Sequence, residues 1–238
     1  MGLFSFFTRK SNTRTSEILE AKRNNYVSIL NEIQVEIHSF LKQIGFRKKG
    51  RTFNRETEKG IIQVINIQNG KYEFGGKHDI PELRENHYCK FTINLGVFVS
   101  ELYELSEHNK PKSIYQEYDC NIRTRLSSLT TKDDFWWTIS DSSFKTSQEI
   151  ISGLKSEGIP WLNLFETRTK ICENWGVIEG SSVRANLDVG LIELKLDTEK
   201  GSKLIQEYYN SITSHNGHKE YVFELASQLG IELKSKES

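Results

Sequence analysis

From Glu17 to Ile44, apolar residues recur at Leu19, Tyr26, Leu30, Ile33, Ile37, Leu41 and Ile44. Steps of this kind follow the turns of an α-helix and gather along one face, and Gly45 supplies a stop. The next stretch, "FRKKGRTFNRETEKGIIQVINIQNG", loses that period, and Gly50 and Gly60 punctuate two β-rich runs, which predicts a hairpin. "CKFTINLGVFV" is the clearest strand. Cys89, Phe91, Ile93, Leu95, Val97 and Val99 alternate there with Lys90, Thr92, Asn94, Gly96 and Phe98, so one face goes to the core. "YDCNIRTRL" alternates in the same way, with Tyr118, Cys120, Ile122, Thr124 and Leu126 set against Asp119, Asn121, Arg123 and Arg125.

Beyond Asp141 the helical period returns. "SFKTSQEIISGLKSEG" predicts one helix, and Pro160 falls in the first turn of a second that carries Leu162, Phe165, Cys172 and Trp175 to Gly176. The last third reads as two or three short helices with breaks near Gly201 and Gly217. The expected class is α+β: an antiparallel β-meander of about four strands with an N-terminal helix across one face, followed by a helical C-terminal region. The corresponding division is a flexible apolar and basic tail over 1–16, an α+β core domain over 17–176 and a helical extension over 177–238.

Composition narrows the function classes. Lys plus Arg and Asp plus Glu balance at 32 each, so no global field draws the chain to nucleic acid or to an anionic membrane. The basic cluster Arg47, Lys48, Lys49, Arg51 and Arg55 is a local exception, and protection of a sheet edge explains it better than phosphate binding. Cys89, Cys120 and Cys172 are dispersed and form no CxxC pair, which argues against a disulfide framework or a zinc site and fits a reducing cytoplasm. The opening "MGLFSFFTRK" has neither the order of a secretory signal nor a Ser or Thr at position six for myristoylation. No apolar run reaches the roughly 20 residues that span a bilayer.

The succession "GFRKKGRTFNR", "IIQVINIQ", "FTINLGV", "YDCNIRTRL", "DDFWW" and "GIPWL" resembles the bacterial domain-of-unknown-function family numbered 4304. The resemblance runs from Ile18 to about Trp175, and its most specific part is the arginine strand with the Trp pair behind it. It implies a small α+β domain, and a place near contact-dependent or secreted toxin systems implies an immunity-type role. It carries over no catalytic residue. The connector from Asn69 to Tyr88 is longer and more charged than the family pattern.

Candidate chemistry centres on the arginine strand. Alternation sets Asn121, Arg123 and Arg125 on the face opposite Ile122, with Asn94 and Thr92 offered by a neighbouring strand and Asn66 and Gln68 by another. Guanidinium forks suit carboxylates or phosphates, so this face fits an acidic partner surface or a small anionic ligand. The plainer alternative is that Arg123 and Arg125 pair with Asp119, Asp133 or Asp134. Asp134, Trp136 and Trp137 follow directly; the tryptophans suit stacking on a ligand or, more simply, a core edge. "GKYEFGGKHDI" fails as a phosphate loop, because Gly76 intervenes before Lys77 and His78 stands where Ser or Thr is required. Neither His78 with Asp79 nor His87 with Cys89 has metal-site spacing, so no metal or cofactor is expected. With no complete catalytic constellation, the balance is against an enzyme. The expected function is a binding module, of immunity type, that neutralises a protein partner. The alternative is an enzyme or sensor that holds a phosphorylated or nucleotide-like ligand through Arg123 and Arg125.

Overall fold

The computed structural model describes residues 25–70, 86–105, 110–139, 143–175, 185–213 and 217–234. The tail over 1–16, residues 71–85 of the connector with His78 and Asp79, and Gly176 lie outside the described residues. The first helix, α1, is described over residues 25–43. After it come β1 (Arg47–Lys49), β2 (Thr52–Glu58), β3 (Ile61–Asn69), β4 (Lys90–Val99), α2 (Ser100–Glu104), a 3-10 turn (Glu117–Asp119) and β5 (Ile122–Arg125). The rest is α3 (Leu126–Thr131), β6 (Trp137–Thr138), α4 (Ser143–Gly153), a π turn (Leu154–Gly158), α5 (Ile159–Asn163), α6 (Arg168–Asn174), α7 (Ala185–Glu193), α8 (Thr198–Ser211) and α9 (Gly217–Gln228).

The class is α+β, an open antiparallel sheet with an N-terminal helix and a helical C-terminal region. The strands run in the order β1-β2-β3-β4-β5, and β6 pairs with β4. The expected hairpin is β2 and β3. Its turn needs Gly60, whose φ of +85° is costly for a side chain, and any Cβ there would also press on Ser100 and on Arg168. The two strands beyond the expected four are β1 and β6, three and two residues long, too short to leave an alternating signature. By contact the chain forms two compact units. Unit 1 is Met1–Phe53, Ile65–Leu95 and Thr124–Ile159; unit 2 is Asn54–Val64, Gly96–Arg123 and Pro160–Ser238.

In unit 1 the helical stripe read from the sequence is buried: Leu30, Ile33, Ile37 and Leu41 have no exposed surface. Each such side chain contributes roughly 1.5–3 kcal/mol on burial. The helix ends as its sequence requires, with Gly45 N–H donating to Lys42 O and Phe46 N–H to Leu41 O, the paired bonds of a Schellman cap. The sheet supplies Phe53, Ile65, Ile67, Phe91, Ile93 and Leu95 to the core. α4 runs into the π turn, where Ile159 N–H reaches back five residues to Leu154 O. The wider turn accommodates Pro160, which has no N–H and whose ring would crowd the carbonyl four residues earlier. The helix break expected before Pro160 is therefore bridged.

Unit 2 holds the aromatic part of the core. Val64, Phe98, Tyr103 and Cys120 cluster with Ile62 and Tyr115, and the Tyr115 ring stacks on Phe98 at 3.7 Å. One helix boundary differs from expectation. Leu162 to Trp175 is split between α5 and α6, because the Thr167 hydroxyl caps a new helix by accepting from Lys170 N–H. The break read near Gly201 falls just before it, between α7 and α8, with Gly201 in the first turn of α8. Asp197 is the cap there, accepting from Lys200 N–H, and Gly201 lets α8 approach Leu194 too closely for a side chain.

Among the described residues no helix is long and apolar enough to cross a membrane.

Candidate functional site

The strand alternation is sound for β4 but its consequence differs from expectation. Both faces are buried from Phe91 to Val99, including Thr92 with no exposed surface and Asn94 at 4%. β4 lies inside the sheet, between β3 and β5, so its polar face is no open platform. Asn94 donates from Nδ2 to Gln68 Oε1 at 2.7 Å, and the Thr92 hydroxyl has no hydrogen-bond partner among the described residues.

β5 is shorter than "YDCNIRTRL" implies. Tyr118 belongs to the 3-10 turn and is 70% exposed, and Leu126 opens α3. Gln116 and Asp119 form a capping box around the turn, and those local bonds outcompete extension of the strand. The two arginines of β5 then take different carboxylates. In unit 2, Arg123 Nε donates to Glu117 Oε1 at 2.5 Å, and the half-buried Asn121 has a buried Oδ1 with no partner among the described residues. In unit 1, Arg125 forms an ion pair with Asp134 through Nη1 and Oδ2. Arg123 therefore pairs with Glu117 and not with Asp119, Asp133 or Asp134; Asp119 instead accepts from Lys112.

Arg125, Asp134 and Trp136 meet because α3 is only six residues long and closes at Lys132 in the left-handed region, with φ of 62°. That reversal returns the chain past Asp133, whose N–H donates to the Thr131 hydroxyl, and brings Asp134 onto Arg125. The Arg125 guanidinium lies 5.4 Å from the centre of the Trp136 ring, and His87 stacks on the same ring at 4.4 Å. Trp136 and His87 are half-buried, and the Arg125 and Asp134 side chains are 33% and 54% exposed. At that exposure the ion pair is worth about 0–1 kcal/mol and the cation–π contact about 0.5–1 kcal/mol. The cluster organises a surface more than it stabilises the fold.

Trp137 does the reverse. At the start of β6 it faces inward, 7% exposed, stacked on Phe91 at 6.0 Å, with Phe135 edge-on at 4.7 Å and Nε1 donating to Glu149 at 3.1 Å. Trp136 lies just before β6 and Trp137 opens it, and the pair divides into a surface ring and a core ring.

In the sequence His87 is weighed only as a metal ligand with Cys89, and its place on Trp136 leaves no local mark there; in the structure Cys89 adopts φ of 58° and Gly70 lies against the His87 backbone. Burial raises the pKa of Cys89 above the usual value, against hydrogen bonds involving Tyr26 and Tyr88. Burial likewise pushes the Cys120 thiol well up and takes Cys172 up to about 12.

Two polar networks inside unit 2 also escaped the sequence reading. Arg55, counted there with the basic cluster, donates to Gln63 Oε1 at 2.6 Å and to Asn163 Oδ1 at 3.0 Å, while Gln63 Nε2 donates to Leu162 O at 2.9 Å. Gln63 has no exposed surface, and its position in phase with Ile61, Ile65 and Ile67 was the available signal. Arg168 bridges Glu58, at 2.5 Å, and Glu101. Burial would raise the Glu101 carboxyl, but hydrogen bonds from Arg168, its own backbone and Ser100, with the Arg168 charge, leave it below the usual value of 4.5. Both networks are internally matched and tie β2 and β3 to the helices of the unit. Among the described residues no three His, Cys, Asp or Glu side chains gather as a metal set.

The fold and site define an α+β domain whose arginine strand is matched by its own carboxylates. The chain belongs to the family described as Domain of unknown function (DUF4304), whose profile matches residues 37–164, from α1 into α6's preceding loop. No curated protein and no solved structure matches the chain.

Proposed function

We propose that this protein is a non-enzymatic binding module of the bacterial cytoplasm that neutralises a protein partner in the manner of an immunity protein. The observation that carries this reading is the surface cluster of Arg125, Asp134, Trp136 and His87 in unit 1. An arginine already held by a carboxylate and laid on a half-exposed tryptophan is the chemistry found at the centres of protein interfaces. It is a poor anion cradle, since a phosphate would have to compete with Asp134 for Arg125. A protein surface can instead use the ring face and the remaining N–H groups while leaving the pair in place.

The test is affinity capture from native lysate with the wild-type chain, Trp136→Ala and Arg125→Ala, followed by titration of the purified partner. The expected result is one partner whose affinity falls about tenfold or more in the variants, which corresponds to roughly 1.4 kcal/mol or more. A partner that binds both variants unchanged removes this cluster as its site. A thermal-shift response to nucleotides or sugar phosphates that Arg125→Ala abolishes overturns the reading in favour of a ligand sensor.

A further inference from the structure

We propose that unit 2 presents Tyr118, with Lys112 beside its ring and Arg123 on the neighbouring Glu117, as a rigid anchor for an acidic segment of a partner protein. This rests on the reading of the chain as a protein-binding module.

Tyr118 occupies an apolar position in the sequence pattern yet is 70% exposed. The segment that carries it is fastened at several points. Asn54 bonds the Tyr115 backbone reciprocally, accepting from its N–H at 2.8 Å and donating to its carbonyl at 2.9 Å. Gln116 N–H donates to Asp119 Oδ2 at 2.9 Å, and Lys112 Nζ donates to Asp119 Oδ1 at 2.7 Å. With Tyr115 stacked on Phe98, the backbone beneath Tyr118 is fixed before any partner arrives. Preordering of this kind removes much of the entropy that an anchor residue otherwise loses on binding.

The charges around the ring are unequal in access. Asp119 and Glu117 are only 7% and 14% exposed, whereas their cations Lys112 and Arg123 are 39% and 50% exposed. The acids hold the cations from below, and the outer surface offers the cations. Arg123 spends Nε on Glu117, and no described residue engages its terminal amino groups. Lys112 Nζ lies 5.8 Å from the centre of the Tyr118 ring, and Lys110 is exposed nearby in the chain. An exposed ring beside the Lys112 ammonium, next in the chain to the Glu117 that holds the Arg123 fork, matches an acidic peptide, whose carboxylates meet the cations while its apolar atoms cover the ring.

The experiment uses the full chain as bait for a displayed library of random peptides. The expected outcome is enrichment of peptides with Asp or Glu on either side of an apolar residue. A synthetic copy should bind at least tenfold more weakly to Tyr118→Ala and to Arg123→Gln, more weakly at high salt, and equally well to Trp136→Ala. Tyr118→Ala should melt with the wild type, since its ring is exposed. Peptides without acidic bias, binding indifferent to Tyr118→Ala, or no enrichment at all would overturn the proposal. Peptides that depend on Trp136 and ignore Tyr118 would overturn it too while leaving the protein-binding reading intact.

Discussion

Replacing Trp137 by Ala tests whether the Trp pair is divided between core and surface. The indole is 7% exposed, stacks on Phe91, receives the edge of Phe135 and gives its N–H to Glu149. Truncating a buried aromatic of this size costs roughly 3–5 kcal/mol through lost transfer energy and the cavity left behind. For a chain of this length that is a fall of roughly 6–20 °C in Tm, at about 2–4 °C per kcal/mol. Trp137→Phe separates the two contributions, because it keeps ring stacking and gives up the bond to Glu149, for about 1 kcal/mol. Trp136→Ala should stay within about 1 kcal/mol of wild type, since its ring is half-exposed and its neighbours are charged or polar. The measurement is chemical denaturation followed by far-UV circular dichroism, which does not depend on the indoles being removed. Equal losses for the two Ala variants, or a loss below about 1 kcal/mol for Trp137→Ala, would refute the assignment.

Arg168→Ala should cost about 3–5 kcal/mol, because it strands Glu101 and Glu58 beside each other with no cation, and equilibrium unfolding reads it directly. In the wild type, Glu101 has its folded pKa below its ordinary 4.5, so the stability it lends is present above that value and is lost as pH falls through the lowered one; Arg168→Ala should flatten this acid limb. Cys172 behaves oppositely: its thiol keeps a proton up to about 12 that the unfolded chain releases near 9.0, so stability should fall as pH rises across that interval, and less so in Cys172→Ala. Gly60→Ala should destabilise by about 1–3 kcal/mol, since φ of +85° is unfavourable for a side chain and the added carbon meets Ser100; an unchanged melting curve would contradict the turn geometry.

The parts of the fold that the sequence revealed are those where one local rule acts alone. The α1 stripe and its Gly45 stop, the β2–β3 hairpin about Gly60, and the alternation of β4 each follow from a period or a turn residue within a few positions. Where two rules compete, the sequence misleads. Tyr118 to Leu126 has the period of a strand, but the side chains of Gln116 and Asp119 close a 3-10 turn at one end, and α3 takes over at the other. The break near Gly201 is present, but Asp197 four residues earlier sets the start of α8, and the missing side chain of Gly201 serves packing against Leu194.

The candidate site divides along the same line. Arg125, Asp134 and Trp136 could be named from their residue types, and they do meet. Their meeting depends on Lys132 taking the left-handed conformation, which no glycine or asparagine announces in "SSLTTKDDFWW". Arg123 stands two residues from Arg125 and shares its chemistry, but its partner Glu117 opens the 3-10 turn whose Tyr118 and Asp119 sequence periodicity had counted as strand. Had the strand extended to Tyr118, the ring would have pointed to the core and Glu117 would have lain in the ladder. The turn exposes the ring and places Glu117 on Arg123 together, so the exposed tyrosine and the Arg123 contact have one structural cause. That shared origin makes Gln116→Ala informative: loosening the capping box should weaken both the Arg123 contact and peptide capture at Tyr118 without touching either side chain. Full retention of peptide affinity in that variant would mean that the ring binds without the preordered turn, and the argument from rigidity would fail.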